Sequence, residues 1–564
     1  MAETHLTMSE PMSKVSEKLD EQQTDIANGD FGSENEALRR HLSPRQVQFF
    51  AIGGSIGTAL FISIGFGLLH GGAGSLLLAF IIQGIMMTFV TNAIAEMTIF
   101  MPVSAAFIQH GGAWVDQAWG FMLGWNFFVF EAFLPAFEIT AVDLVLTFWR
   151  DDIPSAAVIT VCIATYGLTN AFGVKYFGEA EFWLSGGKLI LILLLYCFTF
   201  VTMCGGNPQK DAYGFRNWTK PEPFLEYLST GTSGRFQGFL AALWQANFIM
   251  VGPEYLATCA GEVQRPRTSL KTAFRSVYVR FVLFFILGAI CVGIVLSARD
   301  PTLVKVLGSG ETGTSASSVY VIAMRNMGVD ALPHAVNALL LTSIYSAGDC
   351  YMFTAIRSLY ALAQGGHAPK ILLKTTKNGV PIYCFAVSIG FSCLAYLKLS
   401  SSTVTVLNWF INLATGGQLV TYIACCVNYL FFYRALRAQN YNRKDLPYCG
   451  WFQPYGTWIA LIWLGLIEIF WGYAVFLPGS WDVGTFFSKY GMILLSIATF
   501  SGWKLFKRTS FVNPYEADLI WARPAVDLHE RLMAEVPVLG FRRSVMEFFS
   551  ARFGKKIPAA GSMA

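Results

Sequence analysis

Long apolar runs alternate with short polar connections over most of this chain. An α-helix needs about twenty apolar residues to cross the hydrocarbon core of a bilayer. Twelve runs of this kind predict twelve membrane-spanning helices, which we number from the first to the twelfth span. Their approximate bounds are 48–68, 76–100, 121–148, 155–173, 184–204, 237–259, 275–297, 332–360, 381–399, 403–433, 457–477 and 485–504.

The two ends of the chain depart from this pattern. Residues 1–44 are rich in Glu, Asp, Ser, Lys and Gln and predict a disordered cytosolic tail, while 505–564 predicts a second cytosolic tail behind a membrane domain at 45–504. Lys and Arg cluster before the first span and after the sixth, eighth, tenth and twelfth, which places both termini in the cytosol. Lys14 and Lys18 are candidate ubiquitin acceptors, and so candidate contacts of the endocytic machinery.

Composition supports a polytopic membrane protein. Of the 564 residues, 54% are hydrophobic and 13% are charged, whereas a soluble chain is nearer a quarter charged. A net charge of +4 is too small to indicate a nucleic-acid partner. The sequence has no GxxxxGK[ST] phosphate loop and no CxxC metal spacing, so neither an ATP-driven pump nor a cofactor is predicted.

Two spans carry residues that interrupt a helix. The first contains a glycine-rich stretch at 53–59, and the sixth contains Val251-Gly252-Pro253-Glu254. Unpaired backbone inside a membrane is tolerated where it lines a cavity or is buried in protein. Breaks five spans apart predict an inverted repeat of five plus five helices with two helices added, the LeuT-like arrangement of transporters. The alternative is that these glycines only let helices pack closely.

A broken helix offers chemistry that suits a zwitterion. The new N-terminus presents free N–H groups and partial positive charge, and we expect Ser55, Ile56 and Gly57 to supply these donors to a carboxylate. Carbonyl oxygens left free at the break can accept hydrogen bonds from an ammonium group. We therefore predict an amino-acid site at the first break, with Gly252 at the second break contributing to it.

Ionisable side chains inside the spans are candidate functional residues because they are costly in a bilayer. We assign proton coupling to Glu138, Glu254 and Lys188, with Glu138 also at the substrate. Glu131 and Asp349 are weaker candidates. The alternative for each is internal pairing with no part in transport.

Other candidates rest on local pattern. Phe248, Tyr345 and Phe410 could wall the pocket, although aromatic residues in membrane helices commonly serve ordinary packing. The sequon Asn217-Trp218-Thr219 lies in a connection that the topology places outside, which makes Asn217 a candidate glycosylation site.

Several motifs together resemble the fungal amino-acid permeases of the amino acid–polyamine–organocation superfamily. The resemblance covers about residues 44–517. Its motifs are the run Phe50 to Phe61, Gly252-Pro253-Glu254-Tyr255, Ala260-Gly261-Glu262, Arg357 to Ala363, and Asp445-Leu446-Pro447-Tyr448. The resemblance implies a carrier rather than an enzyme, with Glu138, Glu254 and Lys188 at family positions that handle substrate or protons.

Within that family, two segments resemble the dicarboxylic amino acid permease branch. They are 130–139 and 178–185. The resemblance implies proton-coupled uptake of glutamate or aspartate across the plasma membrane. Asp349 adds a negative charge that would repel an acidic side chain. A carrier of a neutral or specialised amino acid, and a non-transporting amino-acid sensor on the same fold, remain alternatives.

Overall fold

The computed structural model describes most of the membrane domain. The described residues are 42–150, 152–171, 174–308, 318–376, 379–400 and 403–534. Residues 1–41 of the predicted N-terminal tail, with Lys14 and Lys18, lie outside them, as does the chain after residue 534. Within the described residues the secondary structure is helical, apart from two isolated β-bridges.

Each of the twelve predicted spans corresponds to helix in the described residues. Eight stretches meet the length and apolar composition of a membrane crossing, so the chain is an all-α polytopic membrane protein. The helices that form the spans are Pro44–Ser55, Ile64–Phe100, Gln117–Leu146, Ser155–Ala171, Val174–Met203, Gly231–Ile249, Pro253–Thr258, Pro266–Arg280, Leu287–Val295, Leu332–Gln364, Ile382–Ser392, Thr403–Ala438, Tyr455–Phe470 and Val483–Lys507.

The first span is broken at its glycine-rich stretch. Its first half ends at Ser55, the next two residues are non-helical, and the π-helix Ala59–Ser63 begins the second half. The helix then runs on to Phe100 with a kink at Gly72, where φ is 80°. Because glycine adopts this conformation with little strain, Gly72 marks the turn from the first span to the second.

The sixth span is broken at its Gly-Pro pair. The first half ends at Ile249 and the second half is Pro253–Thr258. Gly252 has a φ of 143°, and Pro253 has no N–H to continue the ladder of helical hydrogen bonds. Both breaks that the sequence predicts are therefore present.

The start of the first span is tied to the end of the sixth by backbone. The N–H of Leu42 donates to the carbonyl of Glu262 at 2.9 Å, and the N–H of Gln264 donates to that of Leu42 at 3.1 Å. The two broken spans are thus joined at one end of the bundle as well as at their breaks.

The third span, Gln117–Leu146, is largely buried and packs against the eighth and tenth spans. Ion pairs fix both of its ends, with Asp116 bound to Lys504 and Asp143 bound to Lys398. The pair with Lys398 gives Asp143 a structural role at the end of this span. By holding both ends, they also fix the position of the helix along its axis and so the position of its middle residues.

Glu96, at the end of the second span, anchors the connection between the tenth and eleventh spans. Two nitrogens of Arg443 donate to its carboxylate at 2.8 and 2.7 Å, the N–H of Gly450 donates at 2.9 Å, and the hydroxyl of Tyr429 donates at 3.0 Å. The hydrogen bonds to Glu96 raise the pKa of Arg443. Glu96 therefore holds this connection in place.

The chain directly beyond the twelfth span packs back on the bundle. The last span ends at Lys507, and the N–H of Val512 donates to the carbonyl of Val115 at 2.9 Å. Gln439 donates to the carbonyl of Ala517 at 2.7 Å. The first compact unit accordingly ends at Asp518. The second unit, from Leu519, contains the amphipathic helix Arg523–Ala534.

Candidate functional site

The two helix breaks lie against each other. A Cβ placed on Gly252 would be 3.6 Å from the Cβ of Ser55, with open space otherwise around it. The fold therefore brings together four of the predicted site residues, Ser55, Ile56, Gly57 and Gly252. The helix ends at the two breaks form one region in the centre of the bundle.

Glu138 of the third span caps the second half of the first span. The N–H of Thr58 donates to the two carboxylate oxygens of Glu138 at 3.3 and 3.4 Å, and the hydroxyl of Thr58 donates to one of them in a shorter bond. The Glu138 side chain is completely buried. A carboxylate thus occupies the N-terminus of the half-helix, where the sequence predicts that a carboxylate binds.

The donors at this N-terminus differ in part from those expected. The N–H of Ile56 donates to the carbonyl of Ile52 at 3.1 Å, so the prediction that Ile56 offers a free donor is wrong for this conformation. The hydroxyl of Ser55 turns back to the carbonyl of Ala51 at 2.8 Å. Thr58, which we did not predict, is the residue that donates. Its place directly after Gly57 could have indicated it.

Gly57 is needed for space at the first break. A Cβ on this residue would come within 2.7 Å of the Cβ of Ala347 and 2.5 Å of a carboxylate oxygen of Glu138. Backbone and side chains from the first, third and eighth spans therefore meet at a point where only hydrogen fits. Any larger residue must displace both Ala347 of the eighth span and Glu138.

Glu254 caps the second break. Its carboxylate accepts from the N–H of Gly252 at 3.1 and 3.2 Å and from the hydroxyl of Tyr422, in the tenth span, at 2.8 Å. The side chain of Glu254 is completely buried. Both half-helix N-termini thus carry a carboxylate, and each of these carboxylates belongs to a predicted proton-coupling residue.

Lys188 holds the first half of the first span. Its ammonium group donates to the carbonyl of Gly53 at 2.6 Å. Glu181, seven residues earlier on the same helix, accepts from Ser185 at 2.7 Å and from Ser346 of the eighth span at 2.7 and 2.9 Å. We did not assign Glu181 to the site. Its spacing of seven from Lys188, which puts both on one helical face, could have indicated it.

The predicted aromatic wall is brought together only in part. Phe248 packs edge-on against Phe137, the neighbour of Glu138, with ring centroids 5.5 Å apart. Tyr345 lies 4.9 Å from Tyr166, on the same helix as Ala347. Phe410 instead packs against Phe133, five residues before Glu138, with ring centroids 6.4 Å apart.

Asp349 is satisfied between the fourth and eighth spans. One of its oxygens accepts from the hydroxyl of Thr169 at 2.6 Å and from the amide of Asn170 at 2.7 Å. This buried acid therefore joins two helices to each other.

Asn217, the candidate glycosylation site, lies in the short helix Arg216–Thr219. Its side-chain amide donates to the carbonyl of Ile294 at 2.8 Å. Glycosylation of Asn217 stays a prediction.

Comparisons with known proteins find a family whose sequences are similar to this chain. The sequence profile described as amino acid permease matches residues 46–513. The general amino acid permease AGP2 of Saccharomyces cerevisiae is 42% identical over 500 residues, covering 87% of this chain and 84% of that protein. A proline-specific permease of Emericella nidulans is 34% identical over 498 residues, covering 88% and 90%.

The dicarboxylic amino acid permease of S. cerevisiae is also similar, at 33% identity over 501 residues, covering 88% of this chain and 82% of that protein. Its identity to this chain is lower than that of AGP2, so the similarity does not single out the dicarboxylic branch. A solved manganese transporter of Eremococcus coleocola superposes with a TM-score of 0.52 at 14% identity, covering 82% of this chain and 94% of that one. At this identity the likeness shows the fold alone.

Proposed function

The chain belongs to the amino acid permease family, a family of transporters rather than enzymes, and from this premise we propose that it takes up an amino acid together with protons across a fungal plasma membrane. The substrate lies at the two helix breaks. Alternating access to that site carries it across the membrane.

The contact between Glu138 and Thr58 supports this proposal most. The N-terminus of a half-helix attracts negative charge, and Glu138 supplies that charge in the structure. A substrate α-carboxylate would bind the same donors, so Glu138 must release them when substrate enters. A proton on Glu138 cancels its charge and frees the donors. Substrate binding and proton binding are thereby linked at one position.

Lys188 and Glu254 complete the proton-coupling set in this proposal. Lys188 fixes the first half of the first span through the carbonyl of Gly53, and Glu254 fixes the second half of the sixth span through its own break. A change of charge on either residue would loosen one half-helix. The substrate ammonium group lies at the carbonyl ends of the breaks, and Phe248, Tyr345 and Phe410 wall the side-chain pocket.

The preference for glutamate and aspartate that the dicarboxylic resemblance implies is opposed by the charges at the site. Glu138, Glu254 and Glu181 are all buried near the breaks, and the ammonium group of Lys188 interacts electrostatically with Glu181 and Glu138. An acidic substrate side chain would add another negative charge to this group. We therefore place substrates without an acidic side chain first and keep the dicarboxylic reading as the competing prediction.

The experiment is uptake of labelled amino acids by permease-deficient fungal cells that express this chain. Each amino acid is measured at acidic and neutral outside pH, with unlabelled amino acids in competition. We expect saturable uptake that increases with acidity. If the cells take up glutamate and aspartate blocks this uptake, the prediction of a dicarboxylic substrate is restored. Binding without uptake, at normal surface abundance, would indicate a sensor instead.

Glu254→Gln tests the coupling directly. We expect this variant to lose proton-driven accumulation and to keep exchange of labelled for unlabelled substrate, because exchange needs no net movement of protons. The amount of protein at the cell surface is the control. An unchanged response of uptake to outside pH would remove Glu254 from the coupling set.

The cellular setting belongs to the same proposal. We place both termini in the cytosol, with the tails at 1–44 and 505–564 and the membrane domain between them. Lys14 and Lys18 remain candidate ubiquitin acceptors for endocytosis. Replacing both with Arg should lengthen the life of the protein at the surface, as measured after nitrogen-source addition, if they serve that role.

A further inference from the structure

Arg280 of the seventh span is a buried cation with no anion beside it. The residue is 6% exposed. One terminal nitrogen, Nη1, makes no hydrogen bond with any residue that the structure describes. The other, Nη2, donates to the hydroxyl of Ser276 at 2.6 Å and to the side-chain oxygen of Gln48 at 3.1 Å. Both acceptors are neutral, and among the described residues no acidic side chain acts on the charge of Arg280.

An unpaired cation of this kind is costly inside a membrane. Ionisable residues in membrane-spanning helices almost always pair with one another or line the path of an ion or substrate. Two other buried cations are paired, since Arg357 lies 3.4 Å from Glu262 and Lys398 is bound to Asp143. Arg280 differs from both, which indicates an anion that the described part of the chain does not supply.

Gln48 relates this cation to the first break. Gln48 and Ser55 are seven residues apart in the first half-helix, so they share one helical face about 10 Å apart along the axis. Gln48 is nearer the N-terminus, which the proposed topology places in the cytosol. Val279 and Val282 are more than half exposed on the outside of the seventh span, whereas Arg280 faces the bundle. Arg280 therefore lies beside the first half-helix, between the substrate region and the cytosol.

Movement of the first half-helix would free this guanidinium further. Alternating access opens a path to the cytosol when one part of the bundle moves against another. If the first half-helix moves away, the bond from Nη2 to Gln48 breaks, whereas Ser276 stays because it is on the same helix as Arg280. Nη1 and Nη2 then face the opened path together. Two parallel N–H donors of a guanidinium group match the two oxygens of a carboxylate.

We propose that Arg280 forms a second anion site on the cytosolic side of the breaks, which takes the α-carboxylate of the substrate after it leaves Thr58. This inference rests on the proposed function and adds a release step for the same substrate. The α-carboxylate is the anion that every amino-acid substrate carries. Chloride from the cytosol has a charge of the same sign and is the competing occupant.

The test measures recognition of the carboxylate from each side of the membrane. Intact cells expose the outer face of the protein, and inside-out plasma-membrane vesicles expose its cytosolic face. In both, the labelled amino acid that wild-type cells take up best competes with the same unlabelled amino acid or with its α-amide, which lacks the carboxylate. The ratio of the two inhibition constants reports how much the carboxylate contributes on that side.

Arg280→Gln removes the charge. At the cytosolic face we expect the preference for the acid over the amide to fall about tenfold, the contribution of one charge-assisted pair. At the outer face the preference should stay as in the wild type, because the carboxylate there binds the donors of Thr58. Arg280→Lys keeps the charge without the planar fork and should lose part of the cytosolic preference. It also serves as the test if Arg280→Gln fails to reach the membrane.

Arg275→Gln is the matched control. It removes the same charge from an exposed position five residues earlier in the same helix, so the preference at both faces should equal that of the wild type. Replacement of chloride by gluconate at the cytosolic face is a second arm. If this replacement strengthens binding in the wild type but not in Arg280→Gln, while both have the same ratio of acid to amide, chloride is the occupant and the release step is overturned.

An unchanged ratio at the cytosolic face of Arg280→Gln would also overturn the inference. An equal fall at both faces would do the same, because it would mean that Arg280 only holds helices together. Failure of the proposed function would look different, since cells would then take up no amino acid. Binding to the vesicles needs no uptake, so the ratio for each labelled amino acid that binds at the cytosolic face still decides the anion site.

Discussion

The two helix breaks are similar in outline and differ in where their carboxylate comes from. At the first break, Thr58 is capped by Glu138, which belongs to another span 80 residues away. At the second break, Gly252 is capped by Glu254 from the same short segment. The first contact has to open whenever the first and third spans move apart, whereas the second can travel with its helix. Under the proposed function, the first break is therefore where substrate binding, proton binding and helix movement would be linked.

The glycines of the two breaks also serve different needs. Gly57 has a backbone that other residues can adopt, but there is no room for a Cβ beside Ala347 and Glu138. Gly252 has room for a Cβ but a φ of 143°, which L-residues rarely adopt. One glycine is required by packing between spans, and the other by the local path of the chain.

Gly57→Val should have the largest effect on transport. The new side chain must displace both Ala347 and Glu138, and a displacement of about 1 Å at a binding site can cost about 100-fold in rate. We expect uptake at background level with protein still present at the surface. Uptake of labelled substrate, normalised to surface protein, is the measurement, and normal uptake would remove the first break from the site.

The milder Gly57→Ala allows a rescue that identifies the cause. The carboxylate of Glu138 is at the end of a flexible side chain and can yield, whereas the Cβ of Ala347 cannot. Adding Ala347→Gly should therefore restore a large part of the uptake lost in Gly57→Ala. If the double variant transports no better than the single one, crowding against the eighth span is not the reason for the loss.

Gly252→Ala should have the next largest effect, about tenfold, because holding an L-residue at this φ costs about 1–3 kcal/mol. Its neighbour Ser55 is already at ordinary contact distance, so Ser55→Gly should give no rescue. A rescue here equal to that at Gly57 would contradict the distinction between the two breaks. The uptake rate in cells measures the loss of transport, and the thermal stability of the purified variants measures the strain at residue 252.

Most of the fold and both breaks could be predicted because they depend on local rules. Span length, glycine and proline act within a few residues, and the breaks lie where Gly53 to Ala59 and Gly252-Pro253 place them. The fifth span was predicted from 184 but begins at Val174. Its first turns carry acids such as Glu181, which are polar in sequence yet buried against other spans, so apolarity alone did not reveal them.

The contacts of the site could be predicted less well because they join distant parts of the chain. Glu138, Glu254 and Lys188 could be named as buried ionisable residues, but their partners could not. Thr58 meets a residue 80 positions away, and Glu181 meets Ser346 at a separation of 165. Ile56 was expected to have a free N–H, but this group closes the last turn of the first half-helix by donating to the carbonyl of Ile52.

Thr58→Val removes the hydroxyl bond to Glu138 and leaves the backbone N–H bond in place. Valine keeps the shape and the N–H but removes the hydroxyl bond to Glu138. Glu138, which competes with the substrate carboxylate for the donors of Thr58, is then held less firmly. We therefore expect the KM to fall about fivefold, the equivalent of one hydrogen bond. The increase of uptake with outside acidity should shrink at the same time. A higher KM would mean that the hydroxyl binds substrate rather than Glu138 during transport.

Tyr422→Phe is the corresponding change at the second break and should have the smallest effect. It removes the hydroxyl that donates to Glu254 at 2.8 Å, while the N–H of Gly252 still donates to the same carboxylate. Because Glu254 caps its own helix and does not occupy a substrate position, we expect an unchanged KM. The maximal rate should fall about threefold, which corresponds to the loss of one hydrogen bond while the others to Glu254 remain. Parallel kinetics of Thr58→Val and Tyr422→Phe therefore test the comparison itself, since a shift of KM in both variants would mean that substrate competes for both breaks.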